Sequence, residues 1–89
     1  MKAVVTVTGK DKKGIIAKVC SFLASKGANI EDISQTVMGE YFAMIMMVEV
    51  AETDSEFTAL AKECSEMGQT IGMAIHMQHE DIFKAMHTI

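Results

Sequence analysis

The sequence predicts an α+β sandwich, in which two helices pack on one face of a four-stranded antiparallel sheet. Three observations carry that reading. Apolar residues recur first with the period of a strand and then with that of a helix, in the order βαββαβ, and a short helical segment follows. The second and third strands are separated only by Gly39-Glu40, a connection suited to a hairpin. The chain contains no proline and no low-complexity tract, so residues 1–89 read as one domain.

Each element has its own signal. Residues 2–8 alternate, with Ala3, Val5 and Val7 on one face and Val4, Thr6 and Thr8 on the other, which predicts a strand. From Gly14 to Lys26 the period lengthens: Ile15, Ile16, Val19, Cys20 and Leu23 form a helical stripe, and Gly27 is a suitable C′ stop. Residues 30–38 and 41–50 are two further strands. Thr53 and Glu56 have the spacing of a capping box, and Phe57, Leu60, Cys64 and Met67 continue one helical face up to Gly68. A fourth strand puts Ile71, Met73, Ile75 and Met77 on one side, and Ile82, Phe83 and Met86 mark a terminal helix. Two helical crossovers and one central hairpin make a ferredoxin-like sandwich.

The third strand is apolar on both faces. Phe42, Met44, Met46 and Val48 are expected to meet the helices, yet Tyr41, Ala43, Ile45 and Met47 lie opposite. The outer face of an open two-layer sandwich is ordinarily more polar. The terminal helix or another chain is therefore expected to cover it.

Bulk composition narrows the function. A chain of 89 residues buries roughly 60–65% of its unfolded surface, enough for one modest core. Eight lysines, no arginine and twelve acids give a net charge of −4, which leaves little to hold a phosphate backbone. Nucleic acid is not an expected partner. No apolar run approaches a membrane span and no signal peptide opens the sequence, so a cytosolic location without membrane contact is expected. Two cysteines, Cys20 and Cys64, lie on predicted helix faces, and a reducing compartment suits them.

The loop after the first strand reads GKDKKGII. Its Gly9-x4-Gly14 spacing approaches a phosphate-binding loop, but Ile15 and Ile16 stand where Lys and Ser or Thr would serve the phosphates and Mg²⁺. Other occupants of this fold are also excluded by missing residues. GKDKKG has no Cys-x-x-Cys for a metallochaperone, and there is no arginine to hold an acyl phosphate. GEYFAMIMMV has methionines where an RNA-binding sheet would carry aromatic and basic residues. No nucleophile stands beside an evident base, so catalysis is not expected and no cofactor is implied. His76, His79 and His87 lack a certain converging carboxylate and do not predict a metal site.

The stretch GKDKKGIIAKVCSFLASKGANIEDISQ resembles the signature of an ACT domain: Gly-x-Asp-basic-x-Gly, two aliphatics, a helix ending in Gly, then Asn-Ile and Asp into the second strand. ISQTV, GEYFAM, EMGQT and IFKAMHTI extend the likeness to small stand-alone bacterial ACT proteins related to the glycine cleavage repressor. The resemblance implies a regulatory, non-enzymatic module that binds a small effector, most often an amino acid, and pairs side by side as a homodimer.

The residues suit that role. Backbone N–H groups at Gly14 and Ile15 open a helix, where free donors and the positive dipole end favour a carboxylate. Asp11 can face an ammonium, or instead cap the helix or pair with a lysine. The Asn29 amide can meet either pole of a zwitterion, or shape the turn into the second strand. Gly9 and Gly14 allow close backbone approach. Lys13 stands where many ACT domains have proline. Lys10, Lys12 and Lys13 read as a solvated loop. Gly9, Asp11, Gly14, Ile15 and Asn29 are thus the expected ligand contacts. A dimeric adaptor that docks another protein and binds no metabolite is the alternative.

Overall fold

The computed structural model describes residues 1–50 and 54–86. Its elements are β1 (Lys2–Lys10), α1 (Ile15–Ser25), β2 (Asn29–Met38), β3 (Tyr41–Glu49), α2 (Asp54–Thr70), β4 (Met73–His79) and α3 (Glu80–Met86). The strands form one antiparallel sheet in the order β2-β3-β1-β4, the expected ferredoxin-like topology.

The expected alternation places the core. Ala3, Val5 and Val7 of β1, Met44, Met46 and Val48 of β3, and Met73, Ile75 and Met77 of β4 are buried together with Ile15, Val19 and Leu23 of α1 and Cys64 of α2. The nine-residue β1 runs two residues beyond the expected end, because Gly9 and Lys10 still pair with Phe42 and Tyr41. Gly9 lies hard against β4: a Cβ there would stand 2.6 Å from the Met73 Sδ.

Helix α1 stops where the glycine predicts. Gly27 has φ 82°, a left-handed conformation that costs glycine no Cβ clash. Its N–H donates to the Ala24 carbonyl at 3.0 Å, and the Ala28 N–H donates to the Leu23 carbonyl at 3.0 Å. Those two bonds make a Schellman motif, and its apolar partners Leu23 and Ala28 are both buried.

Gly68 corrects the expected end of α2. The helix continues to Thr70, and Ile71 and Gly72 form a turn rather than the start of β4. The buried Gly68 is instead the point where α2 touches the sheet. A Cβ there would stand 2.7 Å from the Met73 carbonyl oxygen and 2.8 Å from the Ile75 Cγ1. Gly68→Ala gains about 1 kcal/mol of helix propensity but meets an overpacking cost of roughly 1–3 kcal/mol against backbone that cannot rotate away. We expect a net loss of up to about 2 kcal/mol by urea titration; a more stable variant would show that α2 lifts freely from β4. Thr53 of the expected capping box lies outside the described residues.

The outer face is half covered. Phe83 of α3 lies with Val4, Ile45 and Met47 around a small cavity, and Val4 is only 2% exposed. Met38 and Tyr41 remain exposed, and so does Ile45 despite its place beside Phe83. Strand β2 forms one edge of the sheet and is exposed almost throughout. A bulge between Ile30 and Asp32 interrupts its register with β3.

Candidate ligand site

The loop between β1 and α1 is tied to the β2–β3 hairpin by its backbone: the Asp11 N–H donates to the Glu40 carbonyl at 2.7 Å. The chain then turns into α1 through Gly14, whose φ of 80° and ψ of 9° are left-handed. No side chain caps this end of α1, and no acid lies in its first turn. Asp11 therefore does not serve as the helix cap. The first N–H groups of α1 remain available to a ligand or solvent, with the positive end of the helix dipole behind them.

Asp11, Lys12, Gly14 and Ile15 surround a cavity of about 120 Å³ that is closed by Ile16, Ala17 and Phe42. Its volume equals about four water molecules' share of liquid, roughly 30 Å³ each. Sites for larger organic ligands span roughly 300–1,000 Å³, so a nucleotide does not fit here. Asp11 and Lys12 are its charged lining residues, and Ile15, Ile16, Ala17 and Phe42 are apolar.

Of the expected contacts, Asp11, Gly14 and Ile15 converge on this cavity. Gly9 borders a different hollow on the outer face, with Thr36, Met38 and Tyr41. Asn29 begins β2 opposite Glu49, at the far end of the sheet from the loop. The strand between them is ten residues long, roughly 30 Å at 3.3 Å per residue. One chain cannot bring Asn29 to Asp11. The expected contacts did not include Lys12, Ile16, Ala17 and Phe42, which also line it; of these Phe42 had a signal, as an inward-facing aromatic near the start of the third strand.

The remaining reactive groups sit elsewhere. Cys64 is 1% exposed, and burial, followed by the neighbouring Glu63 charge, pushes its thiol up to about 11. Such a thiol is a poor nucleophile near neutral pH. Cys20 is half-buried beside the core. Among the described residues, no group of three His, Cys, Asp or Glu side chains converges to hold a metal ion. No described helix is long and apolar enough to cross a membrane.

The fold and the uncapped loop define a class: small ferredoxin-like modules whose first helix opens beside a hollow of about 120 Å³. Residues 2–78 match the family model described as the ACT domain, and the chain belongs to that family, whose members are in general regulatory and amino-acid-binding. It is 47% identical over 88 residues to a UPF0237 protein of Methanopyrus kandleri, covering 99% of this chain and 98% of the other. Among solved structures, an ACT domain protein from Streptococcus pneumoniae superposes with a TM-score of 0.83 at 48% identity, covering 98% of both chains. A putative glycine cleavage system transcriptional repressor shares the fold at a TM-score of 0.73 and 24% identity, over 89% of this chain and 47% of the other.

Proposed function

We propose that the protein is a non-enzymatic regulatory domain that binds a small amino acid at the α1 start, in a homodimer with two symmetric sites. The observation that carries this reading is the cavity itself, which combines Asp11 and Lys12 with the uncapped first turn of α1. A zwitterion meets an opposite charge at each end there, whereas a phosphate would face the Asp11 carboxylate.

Pairing of β2 with its copy completes the site. Antiparallel pairing across a two-fold axis places each Asn29 beside the Met38 end of the partner's β2, next to the partner's β1–α1 loop. The edge of β2 is open, and an apolar strip of Ile16, Ile33 and Val37 borders it, with Ile33 40% and Val37 53% exposed. Pairing would satisfy the strand's free backbone groups and bury this strip.

A thermal-shift screen against the twenty amino acids identifies the ligand, since one that binds only the native state raises the melting temperature. Calorimetry with that ligand is expected to show Asp11→Ala and Asn29→Ala each weakening binding by roughly 1–3 kcal/mol, the cost of an unpaired buried polar group. Sedimentation is expected to give a dimer. A monomer at high micromolar concentration removes Asn29 from the site, and equal affinities move the site elsewhere. The exposed Met38, Tyr41 and Ile45 favour the second reading, an adaptor that docks another protein, and an absence of amino-acid binding by the wild type selects it.

A further inference from the structure

The two helices are clasped at one end and open at the other. Lys26, at the end of α1, forms an ion pair with Glu63 of α2 at 2.6 Å, and its ammonium lies 5.7 Å from the centre of the Phe22 ring. Towards the start of α1 the helices flank an open, shallow groove of about 510 Å³, between Ala17, Lys18, Ser21 and Phe22 on one side and Met67, Thr70 and Ile71 on the other. That volume falls within the range of roughly 300–1,000 Å³ typical of organic-ligand sites, unlike the cavity at Asp11.

We propose that this groove is a second binding site, for a small monocarboxylate with an apolar body. Phe22, Met67 and Ile71 are half-buried, pack against the core and provide an apolar floor. The charge selects the head group. Acids outnumber bases by twelve to eight in the chain, yet the groove lining holds Lys18 and no carboxylate. The adjoining hollow between α2 and Lys26 is lined by Glu56 and Glu63, so the absence of acids is local to this groove. Lys18 makes no ion pair among the described residues, and the Lys12 ammonium lies 3.4 Å from the Ile71 carbonyl at the same rim. An anion whose hydrocarbon part lies on Phe22 and Met67 places its carboxylate between these two ammonium groups. A neutral ligand gains only the apolar part, and a cation is repelled.

The test is a two-dimensional amide NMR titration of the wild-type protein with 3-phenylpropionate and with its neutral amide. The acid is expected to produce saturable shifts at Ser21, Phe22, Met67 and Ile71, and the amide to bind more weakly. Lys18→Glu, an exposed substitution, is expected to weaken binding of the acid roughly tenfold and to leave binding of the amide unchanged. Ser21→Trp fills the groove and is expected to abolish binding of both while the melting temperature holds. No saturable shift at millimolar probe, shifts mapping to the Gly14 loop instead, or an acid affinity indifferent to Lys18→Glu would each overturn the proposal. Lys12 borders both sites, but Lys18 lines this groove and not the Asp11 cavity, so the response to Lys18→Glu separates the fate of this proposal from that of the amino-acid site.

Discussion

Replacing Leu23 by alanine is expected to destabilise the protein by roughly 2–5 kcal/mol, measured by urea denaturation at fixed protein concentration. Leu23 is fully buried in α1, among the core side chains of the sheet. Its carbonyl accepts the N–H groups of Lys26 at 3.1 Å and Ala28 at 3.0 Å, and alanine keeps both bonds. The loss is therefore one of packing: the transfer energy of the removed carbons plus a cavity that rigid strands cannot refill. A chain of 89 residues has a total stability of only about 5–13 kcal/mol, so one substitution removes a large share. Leu23→Met, which conserves volume, is expected to cost less than about 1.5 kcal/mol. Equal losses in the two variants would show that the site does not discriminate shape and that the core is not close-packed there.

Alkaline pH supplies the second large effect. Burial raises the Cys64 thiol from an ordinary value of 9.0 to about 11 in the folded protein. The unfolded chain ionises first as pH rises, so the stabilising difference is complete below pH 9 and is lost as pH climbs through 11. Two units correspond to roughly 2–3 kcal/mol. Tyrosine and lysine titrate in the same window, so the informative measurement compares the wild type with Cys64→Ala. At neutral pH the variant is expected to be less stable, because it loses the buried sulfur. Between pH 9 and 11 its stability is expected to fall less steeply than that of the wild type by the amount due to the thiol. Parallel curves would mean that Cys64 reaches solvent before the protein unfolds.

The loop motif was legible because its chemistry is local. Gly14, Asp11 and Ile15 lie within five residues, and the left-handed Gly14 that opens α1 is a property of the chain at that point. Lys12 is exposed, as expected of a solvated loop, and it also lines the cavity and reaches the Ile71 carbonyl, because the α2–β4 turn comes to it from the far end of the sequence. Asn29 sits on the correct strand, but the antiparallel topology sends it to the opposite end of the sheet from Asp11. Local sequence does not show which end of a strand meets which loop.

By itself the sequence determined the strands, the helices and the sandwich. Alternation at Ala3, Val5 and Val7 and at Phe42, Met44 and Met46 selects a buried face, and Gly27 ends α1 whatever packs around it. These are short-range effects of backbone geometry and side-chain period. Only the tertiary structure decided how closely the elements approach. It turned Gly68 from a helix stop into the contact between α2 and β4, and laid Phe83 over one half of the outer face. The bulge before Asp32 keeps Ile30 opposite Val48 and Ile33 opposite Met46, both on the helix side although three residues apart. The groove between the helices arose where Phe22 and Met67 fail to close on each other. Such distances depend on the volumes of side chains that meet from remote parts of the chain, and no periodicity records them.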